Sequence, residues 1–558
     1  MPETRDAPAD VVFTGGGVYT VDALRRRAEA VAVRGGRIVA VGSDADVRPL
    51  IAPSTDVVDL RGRLLLPGFQ DSHVHAPSAG LDRMRIDLAE AHGQDEYRAL
   101  IKRYAAEHRD AEWLLGGGWA MDVFPGGTPT KDVLDEIAPD RPVFINNRDN
   151  HAAWVNSRAL ELAGVDASTP DPADGRIERE ADRSPAGTLH EGAMNLVRRL
   201  VPRATLDEQV RGLMIGQRYL HSLGVTAWQD AIVGEYSTLQ DAFDAYVTAA
   251  GRGQLTARVR GALWFERGQG LEQLPFLLDR RERSRVGRFE ATSVKIMADG
   301  VCENFTAAML EPYLDGQGHA TDNRGIPFFE EDELHEAVVA LDREGFQVHV
   351  HAIGDRAVRM ALDAIEAARG ANGVTDNRHH VAHIQVVHPD DVPRFDGLGV
   401  TANAQPLWAA LEPQMSELTI PFIGPERTSW QYPFRSLLRS GARMSFGSDW
   451  PVSSPNPLWE IHVAVNREEP AGYPYGSGDG PFLPHERLDL PEALAAATMG
   501  SAFVNHLDDE TGSIEIGKLA DLVVLDRDPF EHPVSEIGET LVDLTFVDGE
   551  AVFERAGA

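Results

Sequence analysis

The sequence predicts an α/β fold: a (β/α)8 barrel carrying an insertion, joined to a small β-rich domain formed by both termini. Three observations carry that expectation. Apolar strand-like runs alternate with helical patterns through the middle of the chain, the mark of a mostly parallel sheet or barrel. Short β-rich runs punctuated by turn residues occupy both ends. Side chains able to bind a metal recur where the middle strands stop, and barrels build their sites on that face.

From the N-terminal side, residues 11–13, 30–33, 36–42 and 57–60 read as short strands, and the same texture returns at 520–526 and 544–553. The division that follows places 1–64 together with 507–558 in one β domain and 65–506 in the barrel. Barrel strands are expected in the run that ends near His73 and at 224–228, 258–264, 293–297, 347–351, 380–384, 400–403 and 443–446, the eight a closed barrel needs. Helical patterns at 331–343 and 355–368 lie between them. The stretch from about 76 to 201 is too long for a simple connection. It reads as an insertion or lid with its own helical and turn-rich segments.

At 558 residues the chain exceeds one compact core. Its 53 Lys and Arg stand against 87 Asp and Glu, and a net charge of −34 excludes a non-specific nucleic-acid binder, which needs clustered cations. The start is polar, and no run of 18 apolar residues follows, so a soluble, cytoplasmic protein without membrane association is expected. The one cysteine, Cys302, allows neither an intramolecular disulfide nor a cysteine zinc cage. Any metal must use His, Asp, Glu or a less usual ligand.

His73 and His75 close an apolar run, and residues two apart on an extended backbone point to one side, so both imidazoles can converge on one ion. His351, His383 and Asp449 stand at three further strand ends. Each alone has an ordinary alternative, a hydrogen-bonded core histidine or a helix-capping aspartate. Together they form the imidazole and carboxylate set that zinc and related divalent ions prefer at sites with an open position. Lys295 lies within an apolar strand, where burying an unpaired ammonium is costly. A salt bridge or a snorkelling side chain would answer that cost, as would a lowered pKa that permits carbamylation by CO₂. His349, two residues before His351, is expected one layer deeper, as a core or supporting histidine.

In chain order, His73, His75, Lys295, His351, His383 and Asp449 resemble the ligand set of the amidohydrolase superfamily. Lys295-Ile296-Met297-Ala298-Asp299-Gly300, His351-Ala352-Ile353-Gly354-Asp355-Arg356-Ala357 and Gly447-Ser448-Asp449-Trp450-Pro451-Val452 are similar to its amidohydrolase-3, or YtcJ-like, branch. The stretch from Gly512 to Asp526 resembles the second half of that superfamily's composite β-sandwich, and the likeness runs from about Val11 to Phe553. The resemblance implies a TIM-like barrel with a sandwich made by both termini. It implies that His73, His75 and Asp449 hold one divalent ion, zinc being the first expectation. His351 and His383 would hold a second, bridged by Lys295 if carbamylated, so that one or two ions per subunit are expected. A homodimer is also consistent with the superfamily.

The activity implied is hydrolysis of a C–N bond in a small-molecule amide, formamide or cyclic amide, with Asp449 as the catalytic residue that takes the water proton and returns it to the leaving amine. Trp119, His151, Glu191 and Asp299 are the candidate substrate-binding residues. A deaminase, esterase or decarboxylase on the same scaffold is the alternative, and a non-catalytic binding or regulatory protein a third. The completeness of the ligand set argues against the last. The chain departs from the branch in having Asn150 where glycine commonly precedes the histidine, His380 where arginine is usual, and Ala382 where glutamate is usual.

Overall fold

Eight parallel strands form the central sheet of the computed structural model, which describes residues 7–557 except 90, 92, 149, 173–174, 237–238 and 474–479. The strands are β1 (Phe69–Val74), β2 (Val225–Val233), β3 (Arg258–Trp264), β4 (Phe289–Met297), β5 (Gln347–Ala352), β6 (His380–His383), β7 (Thr401–Ala404) and β8 (Met444–Phe446), neighbours in that order. At least one helix follows each, from Ala76–Asp82 after β1 to Pro457–Asn466 after β8. The seam between β8 and β1 is closed by backbone bonds from Asp449 N–H to the His73 carbonyl (2.7 Å) and from His75 N–H to the Trp450 carbonyl (2.9 Å). Closure of the barrel and placement of three candidate ligands are therefore one event.

The apolar run that leads to His73 reads as a single strand in the sequence, but the structure divides it at Gly68. Leu64–Pro67 pairs antiparallel with Leu522–Leu525 in a terminal sheet, and β1 begins at Phe69. A Cβ on Gly68 would stand 2.4 Å from Thr226, so only glycine lets the chain pass from one sheet to the other here. That terminal sheet has six strands, ordered Glu550–Glu554, Val542–Val547, Leu522–Leu525, Leu64–Pro67, Gly17–Tyr19 and Arg27–Ala28. A second sheet is ordered Arg37–Gly42, Ala30–Arg34, Val11–Thr14 and Asp56–Asp59. Phe13, Val31, Leu65, Leu522, Val524 and Phe546 fill the space between the two, with the Phe13 and Phe546 rings edge to face at 5.0 Å.

The insertion differs from its sequence reading. Besides helices such as Gln94–Glu107, it contains a six-stranded mixed sheet ordered Gly175–Arg179, Pro185–Glu191, Ala152–Val155, Val143–Asn147, Leu114–Trp119 and Ile86–Asp87. Its Leu114–Trp119 strand carries three consecutive glycines, a composition that argues against a strand. Tertiary packing overrides it, because a Cβ on Gly116 would lie 2.2 Å from the Ile86 carbonyl oxygen. Among the described residues, no helix is long and apolar enough to cross a membrane.

Arg258, at the start of β3, joins barrel to terminal sheets by ion pairs to the buried Asp521 and to Asp548. Arg258→Met strands Asp521 without its cation, and removing one partner of a buried pair costs about 3–5 kcal/mol. The expected result is a loss of that size in denaturant unfolding, with the slope unchanged; a loss under about 1 kcal/mol contradicts the assignment.

Candidate metal centre

Six side chains converge at the C-terminal mouth of the barrel from five strand ends. His73 is carried by β1, and His75 follows as the residue that opens helix Ala76–Asp82. Lys295 comes from β4, His351 from β5 and His383 from the last position of β6, while Asp449 lies just beyond β8. All six are buried. Asp449 Oδ1 lies 3.3 Å from His73 Nε2 and 3.0 Å from His75 Nε2, and one donor atom from each of the three falls within 4.8 Å of the others. Lys295 Nζ is 3.4 Å from His73 Nε2. The His383 ring stands 4.4 Å from that of His351 and 4.7 Å from that of His73.

Two of these positions hold strained backbone. His383 has φ 76° and Asp449 φ 56°, left-handed conformations that cost an ordinary residue about 1–3 kcal/mol each. Each is held by a bond to its N–H, from His383 to Gln405 Oε1 (2.8 Å) and from Asp449 to the His73 carbonyl. The strain turns the chain at the strand end, with both side chains lining the mouth.

Beneath the centre a column of hydrogen bonds settles which nitrogen of His73 carries its proton. Gln347 Nε2 bonds to the Arg378 and Val504 carbonyls (2.8 Å each), which only accept, so its Oε1 must face the other way. That oxygen accepts from Ser293 and from Gln229 Nε2 (2.9 Å). Gln229 Oε1 is thereby turned toward His349 Nδ1 (2.7 Å) and His380 Nε2 (3.1 Å), both of which must donate. His349 Nε2 is left as an acceptor and takes its proton from His73 Nδ1 (2.9 Å). A second anchor agrees: Asn403 Nδ2 donates to the Ser72 carbonyl (3.0 Å) and to His380 Nδ1 (3.0 Å), again leaving the His380 proton on Nε2. His73 Nε2 therefore presents a bare lone pair to Asp449 and Lys295.

The electrostatics suit a cation. Burial, then the Lys295 charge, pulls His73 and His351 down to about 3, and burial holds His349, His380 and His383 well below the usual imidazole range. Burial lowers Lys295 to about 7, with Asp449 opposing. Burial alone would raise Asp449, but its place beside the imidazoles, with His75 Nε2 as its hydrogen-bond donor at 3.0 Å, holds it well below the carboxylate range. At neutral pH this leaves His73, His351 and His383 neutral around an ionised carboxylate. His351 Nε2 lies 3.2 Å from the Gly300 carbonyl, so its proton sits there and Nδ1 bears the lone pair. Nδ1 of His383 is buried without a hydrogen-bond partner, a donor atom whose valence the polypeptide leaves unmet. The set fits a divalent ion of the zinc type.

A cavity of about 180 Å³ opens above these residues. His151 and Glu191 line it and bond to each other (2.9 Å), and Trp408 stacks on His383 at 5.0 Å between ring centres. The insertion roofs the cavity, with Arg148 bonding across to Glu412 at 2.9 Å. Two expected substrate contacts are corrected. Trp119 is fully buried in the insertion core, its Nε1 donating to the Ile145 carbonyl (3.0 Å), because its strand is covered by Phe124. Asp299 is likewise buried, and its oxygens accept from the N–H groups of Ile353, Gly354 and Ala308 (3.0, 2.9 and 2.8 Å), tying the loop after β4 to the loop after β5. Two departures from the branch acquire reasons. Asn150 sits at φ 64°, a conformation glycine takes freely and asparagine tolerates. His380 is a member of the column. Gln229, Gln347 and Asn403 escaped the sequence reading; an uncharged amide inside an otherwise apolar strand was the available signal.

Comparison with known proteins follows the same line. Residues 56–553 match the family described as Amidohydrolase family. The chain is 32% identical to the protein LONG AFTER FAR-RED 3 of Arabidopsis thaliana, over 98% of this chain and 92% of that one. It is 30% identical to the N-substituted formamide deformylase of Arthrobacter pascens, over 98% and 99%. A solved structure of an uncharacterized metal-dependent hydrolase from Pyrococcus furiosus aligns at TM-score 0.70 and 27% identity, covering 93% of this chain and 99% of that one.

Gln229→Met removes the acceptor that fixes His349 and His380. Partners behind a metal ligand typically contribute 10- to 100-fold to affinity, so a loss of about that size for a divalent ion is expected when the stripped variant competes with a chromophoric chelator. Affinity equal to wild type contradicts the column.

Proposed function

Because the chain belongs to the amidohydrolase family, we propose that it is a metal-dependent hydrolase of a C–N bond in an amide, a formamide or a cyclic amide, acting on a small molecule. The observation that carries this reading is the convergence of His73 Nε2, His75 Nε2 and Asp449 Oδ1 at the barrel mouth. The N-substituted formamide deformylase, alike over nearly the full length of both chains, supports the bond type.

His73, His75 and Asp449 would hold one divalent ion, zinc by their donor chemistry, and that ion would supply Lewis acidity, polarising the carbonyl and lowering the pKa of water from about 15.7 to about 7. Lys295, with its value near 7, has a large uncharged fraction at neutral pH. Were its amine to add CO₂ and release a proton, the resulting carbamate would with His351 and His383 complete a second site; with a plain lysine the centre would hold one ion.

Asp449 performs both proton transfers. Held ionised, its carboxylate accepts the proton of the attacking water and delivers it to the nitrogen as the C–N bond breaks, giving the acid and the free amine. His151 and Glu191, bonded to each other on the cavity wall, orient the substrate, and Trp408 keeps His383 in place through its stacked ring.

N-substituted formamides offered to the zinc-loaded chain are expected to yield formate and amine in equal amounts, and chelation to abolish turnover until the ion is returned. Asp449→Asn should lower kcat about 10²- to 10⁴-fold, the usual worth of a positioned acid–base group, with the fold intact by circular dichroism. Chelator-resistant turnover, or near-normal kcat in Asp449→Asn, contradicts the mechanism.

A further inference from the structure

A second cavity, of about 300 Å³, stands beside the metal centre, and Asn150, Leu239 and Pro451 line both. Its lining carries four arginines: Arg85 ahead of strand Ile86–Asp87, Arg198 and Arg199 at the end of helix Asn195–Arg198, and Arg203 in the loop that follows. Arg203 is neutralised by two bonds to Glu235, at 2.8 and 2.6 Å. The guanidinium groups of Arg85, Arg198 and Arg199 make no hydrogen bond and have no carboxylate within ion-pairing distance among the described residues. That holds in a chain with 87 acidic residues to choose from. Arg85 and Arg198 are half-buried, so water compensates them only in part.

Two acids share the lining: Glu235, which is paired with Arg203, and Asp82, which burial pushes up to about 7 against the opposing charge of Arg85. Three unpaired cations against that one partly ionised acid leave at least two positive charges in excess. Burial also lowers Arg198 from its ordinary value despite the nearby Glu235. A cavity lined with net positive charge focuses the field on its interior. The guanidinium fork matches carboxylate and phosphate oxygens in pairs. Nothing in the metal chemistry uses these arginines.

We propose that this chamber binds an anionic group, a carboxylate or a phosphate, held by Arg85, Arg198 and Arg199 next to the hydrolytic centre. Two sources share that chemistry: a charged tail on the substrate, which reaches the chamber along the common wall, or a free anion. The tethered source alone rests on the hydrolysis proposed above.

Inorganic phosphate titrated calorimetrically into the metal-loaded full chain decides the site independently of turnover. One phosphate per chain is expected, with Kd raised at least about 10-fold in Arg85→Gln and in Arg198→Gln at unchanged metal content. Arg199 is exposed, so Arg199→Gln keeps the test available if a half-buried substitution fails to fold. Absence of binding, or binding of equal strength in all three variants, as for phosphate seated on the ion, overturns the proposal. A neutral N-alkylformamide and its carboxylate-tailed counterpart separate the sources. A tethered anion requires that Arg198→Gln raise KM only for the tailed compound and that phosphate compete only with it. A free anion leaves the two substrates equally affected. If neither compound is hydrolysed the proposed reaction fails, while the phosphate titration still decides the chamber.

Discussion

The amide of Gln347 has two backbone carbonyls as the partners of its nitrogen, and the protonation of His73 in the candidate metal centre follows from that constraint. Carbonyls cannot donate, so the amide cannot flip without burying two unmet acceptors and two unmet donors, each loss costing about 1–3 kcal/mol. The orientation propagates through Gln229 to His349 and His380 and ends on His73. A barrel interior is usually filled with branched apolar side chains. Here a polar layer occupies it and is stable because every member named above is paired, which makes it a rigid support for a ligand two layers above.

The mouth of the barrel adds a second constraint. β8 meets β1 through bonds made by the residues around His73, His75 and Asp449, so the donor atoms cannot drift apart without opening the seam. Left-handed backbone at Asp449 is sustained by the same seam bond, and that at His383 by the Gln405 amide. The roof is separate: Arg148, His151 and Glu191 come from the insertion sheet and reach Glu412 and Asn304 on the barrel loops. The support of the candidate centre and the walls of the cavity above it are thus carried by different parts of the chain.

Much of the barrel was legible because its strands are apolar runs ending in chemically distinctive residues, as at Lys295, His351 and Asp449. The terminal sheets were legible from their short runs, although the division at Gly68 was hidden in one continuous apolar segment. The insertion sheet was not legible, since three glycines in its Leu114–Trp119 strand are chosen for close approach to Ile86 and speak against a strand in isolation. At the site, spacing located the donors but not the column, because its bonds join positions far apart in the chain, Gln229 to Gln347 and Asn403 to Ser72. Trp119 and Asp299 misled for one reason: a polar or aromatic residue beside a glycine-rich turn looks the same in sequence whether it faces a cavity or the core.

The fold fixes His73 as the Nδ1–H tautomer before any ion arrives. Neutron diffraction from crystals of the metal-free protein exchanged into D₂O observes it directly. Deuterium is expected on Nδ1 of His73, on Nδ1 of His349 and on Nε2 of His380, with His73 Nε2 bare. Deuterium on His73 Nε2, or a reversed Gln229 amide, would contradict it.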